Sequence, residues 1–145
     1  MAARWAYFDT SVLAKRYLRE DGSPQARSLL RRYRFLSSAI APIEAMSAMR
    51  RRRASGELDA DDFVAIRSRM RNDRAYWELV EVSPLVLSRA EELIQQTDLR
   101  TLDALHVASA LTFKAASGIN LAFVTGDGQQ RDAAKESGLD VIWVQ

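Results

Sequence analysis

The nineteen acidic residues of this chain are not equivalent, and four of them fall where chemistry can be done. Asp9 ends the apolar run Trp5-Ala6-Tyr7-Phe8, and Asp127 lies just past a second run, Leu121-Ala122-Phe123-Val124, within Thr125-Gly126-Asp127-Gly128. Glu44 interrupts the otherwise apolar Ala41-Pro42-Ile43-Glu44-Ala45-Met46. Asp103 falls in the first turn of an alanine-rich stretch, and the residues on its helical face, His106, Val107 and Ala110, are mostly small or apolar. Taken singly, each has an ordinary explanation. Asp9 or Thr10 can cap a helix, Glu44 can be the third-position partner of a capping box, and Asp103 suits the positive end of a helix dipole. Taken together, four acids in small or apolar surroundings are costly to bury without a partner. If they converge, their repulsion raises at least one pKa unless a divalent cation is present. Mg²⁺ and Mn²⁺ suit such a site: they take oxygen ligands, keep some waters, accept substrate phosphate and activate water.

The other chemistry-bearing residues narrow the choice. There is no cysteine and a single histidine, which rules out a disulfide framework, a thiolate metal site and a cysteine nucleophile, and speaks against zinc. His106, one turn beyond Asp103, reads as a packed, hydrogen-bonded helix residue rather than a general base. Ser11 and Thr125 read as capping or turn residues that can also orient water or phosphate.

The elements that must position the acids alternate between strand and helix. The pattern predicts a strand at Trp5–Phe8, a helix from Ser11 to Leu18, and a turn over Glu20–Pro24 with Ser23 as N-cap and Pro24 at the first helical position. A helix then reaches about Tyr33, followed by a short strand, Phe35–Ala39. The helix carrying Glu44 starts at Pro42 and ends near Arg53, and the next begins at Leu58–Asp62, with acids in its first turn and Arg67 to Arg74 towards its end. Trp77–Val82 is predicted as a strand, Ser83-Pro84 as the start of a helix through about Gln96, and Thr101 as the cap of a helix over Leu102–Ala116. The strand Leu121–Val124, a helix to about Ser137 and the strand Val141–Val144 complete an α/β pattern with a mostly parallel sheet. In such a sheet ligands bind beyond the carboxyl ends of the strands, where Asp9 and Asp127 fall.

The length of 145 residues supports one domain over residues 1–145 with its own core. The N-terminus has no basic segment leading into a long apolar run, and no apolar stretch reaches the roughly 18 residues a membrane helix needs, so a cytoplasmic protein without membrane contact is expected. Net charge is only +2, yet all but Lys15, Lys114 and Lys135 of the 21 basic residues are arginine. Arginine favours bidentate contact with phosphate. Arg50 to Arg53 form a run that can make such contacts or can simply serve a helix C-terminus.

The ordered set Asp9-Thr10-Ser11, Glu44, Thr101-Leu102-Asp103-Ala104-Leu105-His106 and Val124-Thr125-Gly126-Asp127 resembles the PIN-domain proteins, in particular their VapC toxin branch, over essentially the whole chain. The resemblance implies a three-layer α/β/α PIN-like fold and Mg²⁺- or Mn²⁺-dependent endoribonuclease activity, with Asp9, Glu44, Asp103 and Asp127 as catalytic and metal-binding acids. Asp127 corresponds to the most variable of the four. It also implies an RNA substrate, a homodimer and a cognate antitoxin lying across the active groove. Two rivals are weighed against it. A haloacid-dehalogenase-like phosphatase carries a second aspartate two residues after the first, where this chain has Ser11. A non-catalytic PIN-like binding module gains nothing from acids that repel phosphate.

Overall fold

The computed structural model describes residues 4–145. Five strands form one sheet: β1 (Arg4–Phe8), β2 (Tyr33–Ser38), β3 (Glu78–Val80), β4 (Ala122–Thr125) and β5 (Asp140–Trp143), in the spatial order β3-β2-β1-β4-β5. Every pairing is parallel, so the mostly parallel expectation becomes a fully parallel sheet among the described residues. A parallel sheet must be covered on both faces, which explains why its central strands read as unbroken apolar runs. The helices α1 (Thr10–Ala14), α2 (Ser23–Arg32), α3 (Ala41–Ala54) and α4 (Ala60–Asp73) cover one face, packed around Phe8, Phe35 and Val124. On the other face, α5 (Pro84–Gln96), α6 (Thr101–Ser117) and α7 (Gly128–Glu136) pack on Tyr7, Leu36 and Phe123. Alternation along β1 does the sorting: Phe8 faces the first layer, and its neighbour Tyr7 faces the second.

Strand order reverses at β1. The chain lays β2 and β3 to one side of it and β4 and β5 to the other, which opens a crevice at the carboxyl end of β1. Asp9 is the first residue past that end, and its backbone N–H donates to the Val124 carbonyl at 3.0 Å.

Several local expectations shift for identifiable reasons. The helix after Asp9 spans only Thr10–Ala14 and relaxes into tight turns through Leu18, with Lys15, Arg16 and Tyr17 donating three residues back. Ser23 is not the N-cap of α2. That position belongs to Gly22 (φ 85°), while the Ser23 hydroxyl turns back to donate to the Leu18 carbonyl at 2.8 Å. A side chain at Gly22 would place its Cβ 2.2 Å from the carbonyl oxygen of Gln145. β2 starts at Tyr33 because its partner Arg4 extends β1 that far, and β3 shrinks to Glu78–Val80. Thr101 is the first residue of α6 rather than its cap, which is Arg100. The acids fall in the first turn of α4 as expected and also form a capping box, with Asp62 N–H donating to Asp59 at 2.7 Å. Among the described residues no helix is long and apolar enough to cross a membrane.

Candidate active site

All four acids line one open cavity of about 860 Å³ at the crevice beyond β1, together with Ser11, Lys15, Ile43, Ser47, Arg51 and Leu102. Each arrives from a different element. β1 ends at Asp9, the first turn of α3 supplies Glu44, the first turn of α6 supplies Asp103, and the β4–α7 junction supplies Asp127. Gly126 makes that junction possible, because a Cβ there would lie 2.7 Å from the Val144 carbonyl oxygen.

Asp9 occupies the N-cap position of α1 by its backbone, but its side chain makes no capping bond. Its carboxylate instead accepts from the Ser11 hydroxyl and, at 3.3 Å, from the Gln130 amide. Glu44 likewise is no capping partner. Its Oε1 accepts from the Thr10 hydroxyl at 2.8 Å and from His106 Nε2 at 2.6 Å. Behind it, His106 Nδ1 shares a 2.7 Å hydrogen bond with the Tyr7 hydroxyl, so a buried chain of polar groups runs from the sheet to Glu44. Asp127 does cap α7, accepting from the Gln130 N–H at 2.9 Å, so capping and cavity lining coexist in that residue. Thr125 makes the turn bond expected of it, accepting from the Asp127 N–H at 3.0 Å.

The electrostatics are those of crowded anions. The Asp103 carboxyl is held above its ordinary value by burial first, then by the charges of Asp127 and Asp9, against an opposing hydrogen bond from Gln130. Burial also pushes the Glu44 carboxyl up, but the hydrogen bond and charge of His106, with the Thr10 hydroxyl, outweigh it and hold that carboxyl below the usual range. Burial disfavours a charged His106, yet the bond to Glu44 and the charges of Asp9, Glu44 and Asp103 win, and its pKa is raised. Both shifts run in the same sense, each favouring the charged form of its group.

The donor set suits a hard divalent cation, since carboxylate oxygens dominate it and the crowding at Asp103 is the strain a cation would relieve. The convergence is looser than a finished chelate: among the described residues no three acid or imidazole groups stand as a ready ligand cluster. Between two of the acids lies Gln130, which sequence reasoning passed over. Its side chain is 1% exposed, and its amide nitrogen bridges Asp9 Oδ1 and Asp103 Oδ1, the latter at 3.0 Å.

The basic residues separate by role. Lys15 is paired with Glu20 at 3.1 Å and Arg52 with Glu20 and Glu57 at 2.7 Å each, while Arg53 lies over Phe63. Arg51 is exposed at the cavity, steadied by a 2.8 Å bond to Ser47 and in no ion pair among the described residues. Tyr17 and Trp77, which can stack on bases when exposed, are committed elsewhere. Tyr17 donates to Asp73 at 2.6 Å, and Trp77 packs on Phe35 at 5.3 Å between ring centres.

Comparison with known proteins agrees with this fold. Residues 6–136 match the PIN domain family. The chain is 36% identical to Ribonuclease VapC46 of Mycobacterium tuberculosis over 138 residues, covering 94% of this chain and 95% of that protein. Three solved structures share the fold. A toxin-antitoxin complex from Klebsiella pneumoniae superposes with a TM-score of 0.66 at 18% identity, covering 94% of this chain and 95% of the other. VapBC2 from Rickettsia felis, bound to a promoter DNA fragment, gives 0.65 at 13% identity, covering 97% and 98%. FitAcB from Neisseria gonorrhoeae gives 0.65 at 13% identity, covering 94% and 96%.

Proposed function

The chain belongs to the PIN-domain family, and on that premise we propose that it is a metal-dependent endoribonuclease, the toxin of a toxin-antitoxin pair. The observation that carries the reading is the meeting of four carboxylates from four separate elements in one cavity at the sheet's switch point. Asp9, Glu44, Asp103 and Asp127 would hold Mg²⁺ or Mn²⁺. When bound, such a cation supplies an activated water and neutralises charge on the cleaved phosphodiester.

The protein's own residues do the rest. Ser11 and Gln130 hold the Asp9 carboxylate in place, and the Tyr7, His106 and Thr10 network fixes Glu44 with one oxygen already engaged. Arg51 lies on the same face of α3 as Glu44, seven residues or about 10 Å along the axis, where it meets a phosphate flanking the cleaved one rather than the reacting group itself. A cation there offsets the repulsion that the acids exert on the incoming backbone.

The same reading includes a cognate antitoxin and a homodimer. Leu13, Tyr17 and Leu29, apolar residues of the early part of the chain, are buried in the core and line no antitoxin groove. Ile43, 73% exposed, instead joins the acid cavity to a groove between α3 and α4 that also contains Pro42, Met46, Phe63 and Arg67.

RNA cleavage by the purified protein with Mg²⁺, with Mn²⁺ and with EDTA, beside the Asp9→Asn, Asp103→Asn double variant, tests the proposal. Cleavage that requires metal and disappears in the variant is the expected result. Activity that survives both EDTA and the double substitution overturns it.

A further inference from the structure

Gln130 hydrogen-bonds through its side chain to two of the four acids, and its backbone bonds to a third. Its orientation is fixed by a polar chain with a single sense. The Asp127 N–H donates to Thr125 Oγ1 at 3.0 Å, so the Thr125 hydroxyl is left to donate, and it donates to Gln130 Oε1 at 2.7 Å. The amide oxygen is thereby committed on one side. On the other side Nε2 has two hydrogens and two acceptors, Asp9 Oδ1 at 3.3 Å and Asp103 Oδ1 at 3.0 Å. The opposite rotamer would set a carbonyl oxygen against two carboxylates and leave the Thr125 hydroxyl without its acceptor. The Gln130 N–H, donating to Asp127 Oδ1 at 2.9 Å, ties the same residue to the remaining acid of that edge.

We propose that Gln130 is a positioning residue, an amide bracket that spaces Asp9 and Asp103 and holds one oxygen of each so that the second is set for a divalent cation. This rests on the metal-dependent reading above. Two neighbouring carboxylates sharing no donor would repel, and one would rotate away. The Gln130 amide opposes that rotation by donating to one oxygen of each. The bracket uses one oxygen of each acid, Oδ1, and leaves the second oxygen of each to a cation, although Asp9 Oδ2 also accepts from Ser11. Nothing about a buried amide used purely as core filler would require both of its hydrogens to end on these two acids.

The test is Mn²⁺ binding to the protein without RNA, followed by the loss of the free-ion EPR signal and by calorimetry. Gln130→Met keeps the length and volume of the side chain and removes both donors. The expected result is a rise in the Mn²⁺ dissociation constant of about 10- to 100-fold, the range seen when partners of metal-binding side chains are removed. Thr125→Val leaves Gln130 in place but frees its amide to turn, and serves if Gln130→Met fails to fold. Its expected effect is smaller, and in the double variant the two effects should overlap rather than multiply. An Mn²⁺ affinity within threefold of the unmodified protein in folded Gln130→Met overturns the inference while leaving the nuclease reading intact. Failure of the unmodified protein to bind Mn²⁺ at all overturns both.

Discussion

The Tyr7–His106–Glu44 chain gives the sharpest energetic prediction, because Tyr7 and His106 are buried and its two hydrogen bonds are short. His106→Leu leaves the fully buried Tyr7 hydroxyl without its partner, at a cost of about 1–3 kcal/mol, and removes a charge-assisted bond from Glu44, about 1.5–3 kcal/mol. Glu44 keeps the Thr10 hydroxyl, and its side chain is 24% exposed, so water recovers part of the second cost. A net loss of about 4 kcal/mol, or a fall in Tm of about 8–16 °C for a chain of this size, is the result. Tyr7→Phe alone costs less, about 1–3 kcal/mol, since it strands His106 Nδ1 but keeps the charge-assisted bond to Glu44. The double variant is the informative one. With both polar partners replaced by apolar groups no orphaned hydroxyl remains, so it should be more stable than the sum of the single losses predicts by at least about 1 kcal/mol. Urea unfolding of the four proteins in metal-free buffer, with unchanged m-values as the check on two-state behaviour, measures this directly. Strict additivity would refute the claim that the two side chains form one unit.

Arg51→Ala should weaken RNA binding and lower the slope of log affinity against log salt by about one phosphate's share, whereas Arg32→Ala, remote from the cavity, should leave the slope unchanged; filter binding to a metal-free, uncleaved RNA across a salt series checks it. Gly22→Ala should destabilise the protein by about 2 kcal/mol or more, combining a left-handed backbone with the close Gln145 carbonyl, as read by thermal unfolding. Partial burial pushes the Asp73 carboxyl up, but hydrogen bonds from Arg16 at 2.9 Å and from Tyr17 outweigh it and hold it below its ordinary range. The folded-state value is thus depressed, so its stabilising contribution is complete at neutral pH and lost on acidification through that depressed value. Asp73→Asn should therefore be less stable than the parent at pH 7, and the gap should close as unfolding is measured at progressively lower pH.

Much of the site was legible because buried parallel strands leave a plain mark: an apolar run that stops at a carboxylate, as at Phe8-Asp9 and Val124-Thr125-Gly126-Asp127. Glu44 and Asp103 were legible for the complementary reason, as acids on helical stretches whose neighbours are meant for a core. His106 was recognisable as packed and hydrogen-bonded, but its partner Glu44 is 62 positions away and no local pattern announces the pair. Gln130 was harder still. It sits in the polar run Gly128-Gln129-Gln130-Arg131-Asp132, where nothing in the letters distinguishes the buried glutamine from an exposed neighbour. Its spacing three residues after the cap Asp127 was the available signal, and that spacing accounts only for its backbone bond. The arginine run Arg50 to Arg53 shows the same limit, since partners supplied by Glu20, Glu57 and Phe63 decide which of its cations are spent.

The reversal of strand order at β1 has a bearing on how the protein is made. The first strand is synthesised early, yet its neighbour β4 lies about 115 residues later, and Asp127 and Gln130 follow that strand. A ribosome adding roughly 5–20 residues per second therefore carries Asp9 for several seconds or more before the residues that complete its pocket exist. Throughout that interval β1 can pair on one side only, and the acids have no common cavity. A nascent chain is in this sense chemically disarmed by its topology: the cavity that the proposed activity requires does not exist until β4 has docked.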